Sequence, residues 1–192
     1  MNYMENKLRD SFGDFLRELN LFGNGIEIGV AEGNYSEKLI KNTELKKIYL
    51  LDAWKDFDQK SESLSQFQKV QNKMYLGVVD RMKKYNDRVE IIRGDTREVF
   101  KKFSDGFFDF IYIDSNHEYE FVKLDLNNWY PKLKVGGVFS GHDYLDGFFP
   151  ELGNNANFGV KKAVDEFCKH INKDVLLTRG TKKYPVSWYF IK

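Results

Sequence analysis

The sequence predicts an α/β fold in which a mostly parallel sheet carries helices on both faces. Three observations lead there. Short apolar runs alternate with amphipathic helical patterns along the chain, the mark of successive βα units. Two of these runs, Phe108 to Ile113 and Val135 to Ser140, are almost wholly apolar or aromatic and stop abruptly at polar side chains. Strands buried on both faces read this way when they deliver groups to the carboxyl edge of a parallel sheet. Finally, 192 residues without repeats, low-complexity tracts or a linker suit one domain with a full core.

The elements follow in order. Met4, Leu8, Phe12, Phe15 and Leu19 recur every three or four residues, which predicts an amphipathic helix within residues 1–22, ended by Gly23 and Gly25. Ile26 to Ile28 is a short strand running into Gly29–Gly33. Asn34 then reads as the N-cap of a helix, with Glu37 three residues on completing a capping box. Ile48 to Leu51 is the second strand, ending at Asp52. In a helical insertion over residues 53–88, Leu64, Phe67, Val70, Met74, Val78 and Met82 mark a long helix, bent at Gly77. Val89 to Ile92 is the third strand, and Asp95 to Glu98 reads as the capping box of a short helix. A helix over Tyr119 to Trp129 separates the two long apolar strands. After a loop longer than usual, Val160, Val164, Phe167 and Ile171 mark the last helix. Val175 to Thr178 and Val186 to Ile191 pair as a terminal hairpin.

Composition excludes several classes. Thirty Lys+Arg against 29 Asp+Glu leave a formal charge of +1, with no basic stripe interleaved with aromatics, so no nucleic-acid partner is expected. The single cysteine, Cys168, cannot form an internal disulfide, which fits a reducing compartment, and reads as a core or boundary residue. No apolar run approaches the roughly 18 residues of a membrane helix. The first residues also lack a signal-peptide core. The expectation is a soluble cytoplasmic protein without a membrane partner; a homo-oligomer is compatible with the sequence.

Chemistry concentrates where strands end. Asp114 and His117 follow the fourth strand, and His142 and Asp143 follow the fifth. In open α/β sheets that edge is where ligands bind, so four groups able to hold a metal or move protons share one neighbourhood. Glu27 leads into a strand-to-helix turn with Gly29 and Gly33. Glycine there lets backbone approach a ligand closely, although a tight turn with no ligand would use the same residues. The turn is not G-x-G-x-x-G, which argues against a nicotinamide or flavin cofactor. Asp52 ends the second strand, where a carboxylate can take both hydroxyls of a ribose. Asp95 reads first as a helix cap. Trp54, Phe57, Tyr144, Phe148 and Phe149 lie where pocket walls would be, and lids or core edges use such residues equally.

Together these residues resemble class I S-adenosylmethionine-dependent methyltransferases over nearly the whole chain. Glu27-Ile28-Gly29 with Gly33 resembles the motif that cradles the methionine part of the cofactor. Asp52 matches the acidic position that holds the ribose, and Gly94-Asp95-Thr96 resembles the loop that contacts the adenine. The resemblance is closest in Asp114, His117 and Tyr119, followed by Gly136-Gly137 and Gly141-His142-Asp143-Tyr144. This part is similar to a small-molecule and sugar O-methyltransferase group, methyltransferase family 24, that includes the macrolide-modifying macrocin and mycinamicin O-methyltransferases.

The implied fold is a Rossmann-like seven-stranded methyltransferase sheet, mostly parallel with a reversed terminal strand, forming one domain over residues 1–192. The implied cofactor is S-adenosyl-L-methionine, held by Glu27, Gly29, Gly33, Asp52, Asp95 and Asp114. The implied activity is O-methylation of a small hydroxylated acceptor. In this group an Asp binds metal, a His three residues later is the base, and an acidic pair follows the next strand. Here the first member of that pair is His142. Asp114 and Asp143 would be two hard oxygen ligands for Mg or Mn, and a His142 nitrogen would move the preference toward a transition metal. His117 suits a general base because imidazole titrates near neutrality, with Asp114 and His142 as further catalytic candidates. A non-catalytic adenosylmethionine-binding protein is the main competing reading, and a dinucleotide-dependent oxidoreductase is third. Acceptor specificity is expected from residues 1–22, the 53–63 and 141–157 loops, or a partner subunit.

Overall fold

Residues 3–55, 68–149, 157–181 and 186–192 are described in a computed structural model of the chain. Five strands run parallel: β1 (Asn24–Ile28), β2 (Lys47–Asp52), β3 (Val89–Arg93), β4 (Phe108–Ile113) and β5 (Leu133–Gly141). A separate two-stranded antiparallel sheet comprises β6 (Asp146–Phe148) and β7 (Asn157–Gly159). The main sheet is completed by β8 (Leu176–Leu177) and β9 (Trp188–Ile191), in the order β3-β2-β1-β4-β5-β9-β8. Only β9 is reversed, lying antiparallel to both neighbours. The strand order turns outward in both directions from the β1–β4 pair. That is the switch point at which an open α/β sheet leaves a crevice at its carboxyl edge.

Side chains alternate across the sheet into two cores. Ile48 and Leu50 of β2 face one, and Tyr49 and Leu51 face the other. The first core is covered by α1 (Phe12–Glu18), α2 (Asn34–Asn42) and α3 (Gln68–Met82). The second is covered by α4 (Thr96–Val99), α5 (Tyr119–Trp129) and α6 (Val160–His170). Helix α5 shows why. Val122, Asp125, Leu126 and Trp129 fall on one stripe at helical spacing and are all buried. Trp129 is fully buried, and cutting such a side chain back to alanine costs about 3–5 kcal/mol. Cys168 is also buried, and burial pushes its thiol up to about 12, as befits a core residue. No helix among the described residues is long and apolar enough to cross a membrane.

Several expectations need correction. The helix within residues 1–22 is short. A 3-10 turn, Arg9–Ser11, leads into α1, which stops at Glu18. Asn20, not Gly23, makes the stop, because its left-handed φ of 56° lets Leu21 N–H reach back to Leu16 C=O. The N-cap of α2 is Gly33, at φ 74°, and Asn34 is already helical. Glu37 therefore closes no capping box and pairs instead with Lys84 at 2.6 Å and Lys41 at 3.1 Å. Helix α3 is unbroken at Gly77 and changes character only after Met82, where a 3-10 stretch, Lys83–Arg88, begins. Leu64, Phe67 and Phe57 lie outside the described residues.

Candidate active site

The site begins where β1 leaves the sheet. Gly29 has φ 91°, and a Cβ there would lie 2.0 Å from the carbonyl oxygen of Asp114. Only glycine fits, because the ends of β1 and β4 touch backbone to backbone. Asp114 N–H donates to Ile28 C=O at 2.7 Å and Gly29 N–H to Leu51 C=O at 2.8 Å, so three strand ends are fastened at one point.

Asp52 holds the turn that follows. Its Oδ2 accepts from Val30 N–H at 2.9 Å and Ala31 N–H at 2.8 Å, and its Oδ1 accepts from Trp54 N–H at 2.8 Å. A carboxylate offers about four lone-pair positions, so about one remains for a ligand hydroxyl. The expected two-pronged grip on a ribose is correspondingly reduced. Trp54 is fully buried, and its Nε1 donates to Ala31 C=O at 2.9 Å. It braces the turn through that hydrogen bond.

Glu27 is 1% exposed, and its Oε2 has no hydrogen-bond partner among the described residues. Burial pushes its carboxyl up to about 8; Ser36 and Arg9 act against this, while Asp114 and Asp52 add to it.

Across the switch point, Asp114, His117 and Asp143 converge. His117 Nε2 lies 3.1 Å from Asp143 Oδ2 and 3.7 Å from Asp114 Oδ1. The three residues offer donor atoms within 4.8 Å of one another, a set able to hold a metal ion. His142 joins from the side, its Nδ1 2.9 Å from Asp143 Oδ1 and 3.9 Å from Asp114 Oδ1, while its buried Nε2 has no hydrogen-bond partner among the described residues. His142 N–H caps the end of β4 through Ile113 C=O at 3.0 Å. Asp143 adopts φ 48°, unusual for aspartate, which aims its carboxylate between the two imidazoles. Burial alone would raise the Asp143 carboxyl, but hydrogen bonds and charge from His117 and His142 outweigh it and hold the group well below the usual range.

Asp95 is the N-cap of α4, accepting from Arg97 N–H at 2.9 Å and pairing with the Arg97 guanidinium. Glu98, the other half of the expected capping box, pairs with Lys101 at 2.7 Å. Of the remaining aromatics, Tyr144 hydroxyl bonds to Asp165, Phe149 packs on Phe158, and Phe148 is mostly exposed.

Three participants were not foreseen. Phe158 of β7 stacks on the His117 ring, with centroids 4.8 Å apart, and fixes its plane. Buried Asp125 accepts from Ser115 Oγ at 2.7 Å and Thr96 Oγ1 at 2.9 Å, tying the Asp95 loop to the turn that carries Asp114 and His117. Arg9 lies 3.5 Å from Asp114 Oδ2. Only Asp125 left a sequence signal, as a lone acid on the apolar stripe of α5.

Residues 26–144 match a family model described as a methyltransferase domain. Among solved structures, a Clostridium thermocellum protein provisionally described as an rRNA methylase superposes with a TM-score of 0.64 at 15% identity, covering 97% of each chain. An O-methyltransferase from Bacillus cereus, solved with S-adenosylhomocysteine, gives 0.62 at 17% identity, covering 96% of this chain and 80% of that one. A Staphylococcus aureus protein provisionally described as a caffeoyl-CoA O-methyltransferase gives 0.61 at 20%, covering 95% and 81%. No curated protein sequence matches the chain. At these identities the superpositions speak for the fold, and the family model, which spans more than half of the chain, speaks for descent. With the glycine turn, the acidic strand ends and the reversed β9 in place, the chain belongs to this methyltransferase family, as a class I S-adenosylmethionine-dependent methyltransferase.

Proposed function

We propose that the chain methylates a hydroxyl oxygen of a small acceptor, with His117 taking the proton. The observation that carries this reading is the 3.1 Å approach of His117 Nε2 to Asp143 Oδ2 at the carboxyl edge, beside the glycine turn. S-adenosylmethionine would supply a methyl group already activated by its positively charged sulfur. Glu27, with its unpartnered buried oxygen, suits the amino group of that cofactor. Asp52 retains a lone-pair position for a ribose hydroxyl, and Asp95 lies where the adenine loop is expected.

The protein then has two tasks: to hold the acceptor oxygen in line with the methyl, and to take its proton. His117 does the second, its ring plane set by Phe158 and its positive charge, once formed, balanced by Asp143. Asp114, fastened through its backbone to β1, orients the acceptor from the other side. The donor set also fits a divalent ion such as Mg or Mn, held by Asp114, Asp143 and His117, with His142 Nδ1 beside it. Bound there, the ion would lower the pKa of the acceptor hydroxyl. In that second reading His117 is a metal donor, and His142 becomes the base.

The near-balanced charge supports a small acceptor over nucleic acid. The reading is tested by incubating the protein with methyl-labelled S-adenosylmethionine and a panel of catechols, hydroxylated sugars and total RNA. Label recovered as a base-stable methyl ether on a small molecule supports it. Label on RNA or on nitrogen overturns the acceptor class. Tight adenosylmethionine binding with no turnover on any acceptor favours a non-catalytic binding protein.

A further inference from the structure

We propose that Arg9 receives the carboxylate of the cofactor's amino-acid end, which makes the N-terminal segment a working wall of the donor cleft. The proposal rests on S-adenosylmethionine being the methyl donor. Arg9 opens the 3-10 turn before α1, yet its partners are distant in sequence. Its guanidinium lies 4.4 Å over the Tyr35 ring in the first turn of α2, 3.4 Å from the Tyr112 hydroxyl and 3.5 Å from Asp114 Oδ2. It is therefore bounded by the helix that follows the glycine turn and by the end of β4, the two elements flanking the crevice.

The charges of the cleft explain why a cation belongs there. Asp52, Asp114 and Asp143 crowd one edge of the sheet, and a carboxylate entering it alone would be repelled. An amino-acid group brings an ammonium together with its carboxylate. The buried Glu27 oxygen that lacks a partner suits the ammonium, and Glu27 and Arg9 are close enough to feel each other's charge. The carboxylate then needs a cation at this edge, and Arg9, held among Tyr35, Tyr112 and Asp114, is one. Its side chain is only 20% exposed, so a charge pair with it is weakly screened by solvent. Its planar fork matches a carboxylate, and the Tyr35 face holds the fork in one plane.

Calorimetry on wild type, Arg9→Met and Arg9→Lys tests this with two ligands: S-adenosylhomocysteine and methylthioadenosine, which lacks the amino-acid end. Arg9→Met should weaken S-adenosylhomocysteine by about 10- to 100-fold, and leave methylthioadenosine within about twofold, as expected for loss of a charged hydrogen bond. Arg9→Lys should fall between. Equal losses for both ligands would make Arg9 merely structural, and unchanged S-adenosylhomocysteine affinity would remove it from the carboxylate; either overturns the proposal. A wild type that binds neither ligand overturns the donor reading, and this assignment with it. Should Arg9→Met fail to fold, wild type is compared on S-adenosylhomocysteine and its decarboxylated analogue, and equal affinities overturn the proposal.

Discussion

His117 and Asp143 meet at 3.1 Å, Nε2 to Oδ2, although each hangs from the end of a different strand. The β4–β5 pairing places their turns side by side, and Phe158 fixes the imidazole plane. The same carboxylate also has His142 Nδ1 at 2.9 Å, so two imidazoles share one anion and each is a rival for the role of base.

Replacing each histidine separates them. His117→Ala should lower the single-turnover methyl-transfer rate by about 10²–10⁴-fold while S-adenosylhomocysteine affinity stays nearly constant. His142→Ala should cost much less. A larger loss in the His142 variant would reverse the two roles.

Metal dependence is settled by removal. If Asp114, His117 and Asp143 hold a divalent ion, exhaustive chelation should suppress turnover, Mg or Mn should restore it, and Asp114→Ala should abolish the metal found by elemental analysis. Full activity in protein shown to be metal-free would confine the three residues to proton transfer and positioning.

Asp52 should affect both affinity and stability. Asp52→Ala leaves the N–H groups of Val30, Ala31 and Trp54 without their acceptor. Each unpaired donor costs about 1–3 kcal/mol where water cannot reach it. Denaturant melts should therefore show a clear loss of stability without ligand, beyond any weakening of S-adenosylhomocysteine binding by calorimetry. A variant as stable as wild type would show that the glycine turn does not depend on Asp52.

Glu27 should make stability fall with pH. Its carboxyl is raised by burial to about 8, so between the ordinary glutamate value and 8 the folded protein keeps a proton that the unfolded chain has released. Stability is therefore lost as pH rises through that window and stays lowered above it. Glu27→Gln removes the effect and should be more stable than wild type at pH 8 by up to about 4 kcal/mol, with little difference at pH 4. Chemical denaturation of both proteins across this range checks it; parallel curves would mean that Glu27 is charged in the fold and already paired.

What could be read from the chain depends on how local its causes are. Helix α5 was legible to the residue because its apolar stripe packs on the sheet at regular helical spacing. The N-terminal stripe looked the same but does not form one helix. Met4 N–H is taken by the Tyr189 hydroxyl at 3.3 Å, so that end of the segment is set by β9 rather than by its own periodicity. Asp114, His117, His142 and Asp143 were legible as one cluster because each follows the end of a buried strand. Arg9 was not, since nothing near it in sequence anticipates Tyr112 or Asp114. The preference for Asn34 over Gly33 as a cap had a different cause. A side-chain cap is visible in sequence, whereas a glycine at φ 74° is visible only in the folded turn.

Where Gly29 abuts Asp114, the seam between the strand that would carry the methyl donor and the strand that carries the candidate base contains no side chain at all. Its width is set by two peptide groups, and gradual substitution has nothing there to enlarge or shrink. Variation in the acceptor is expected to be pushed outward, to segments such as the hairpin that carries Phe158. These segments rest on the sheet without being woven into it, and they can be rebuilt while the seam stays closed.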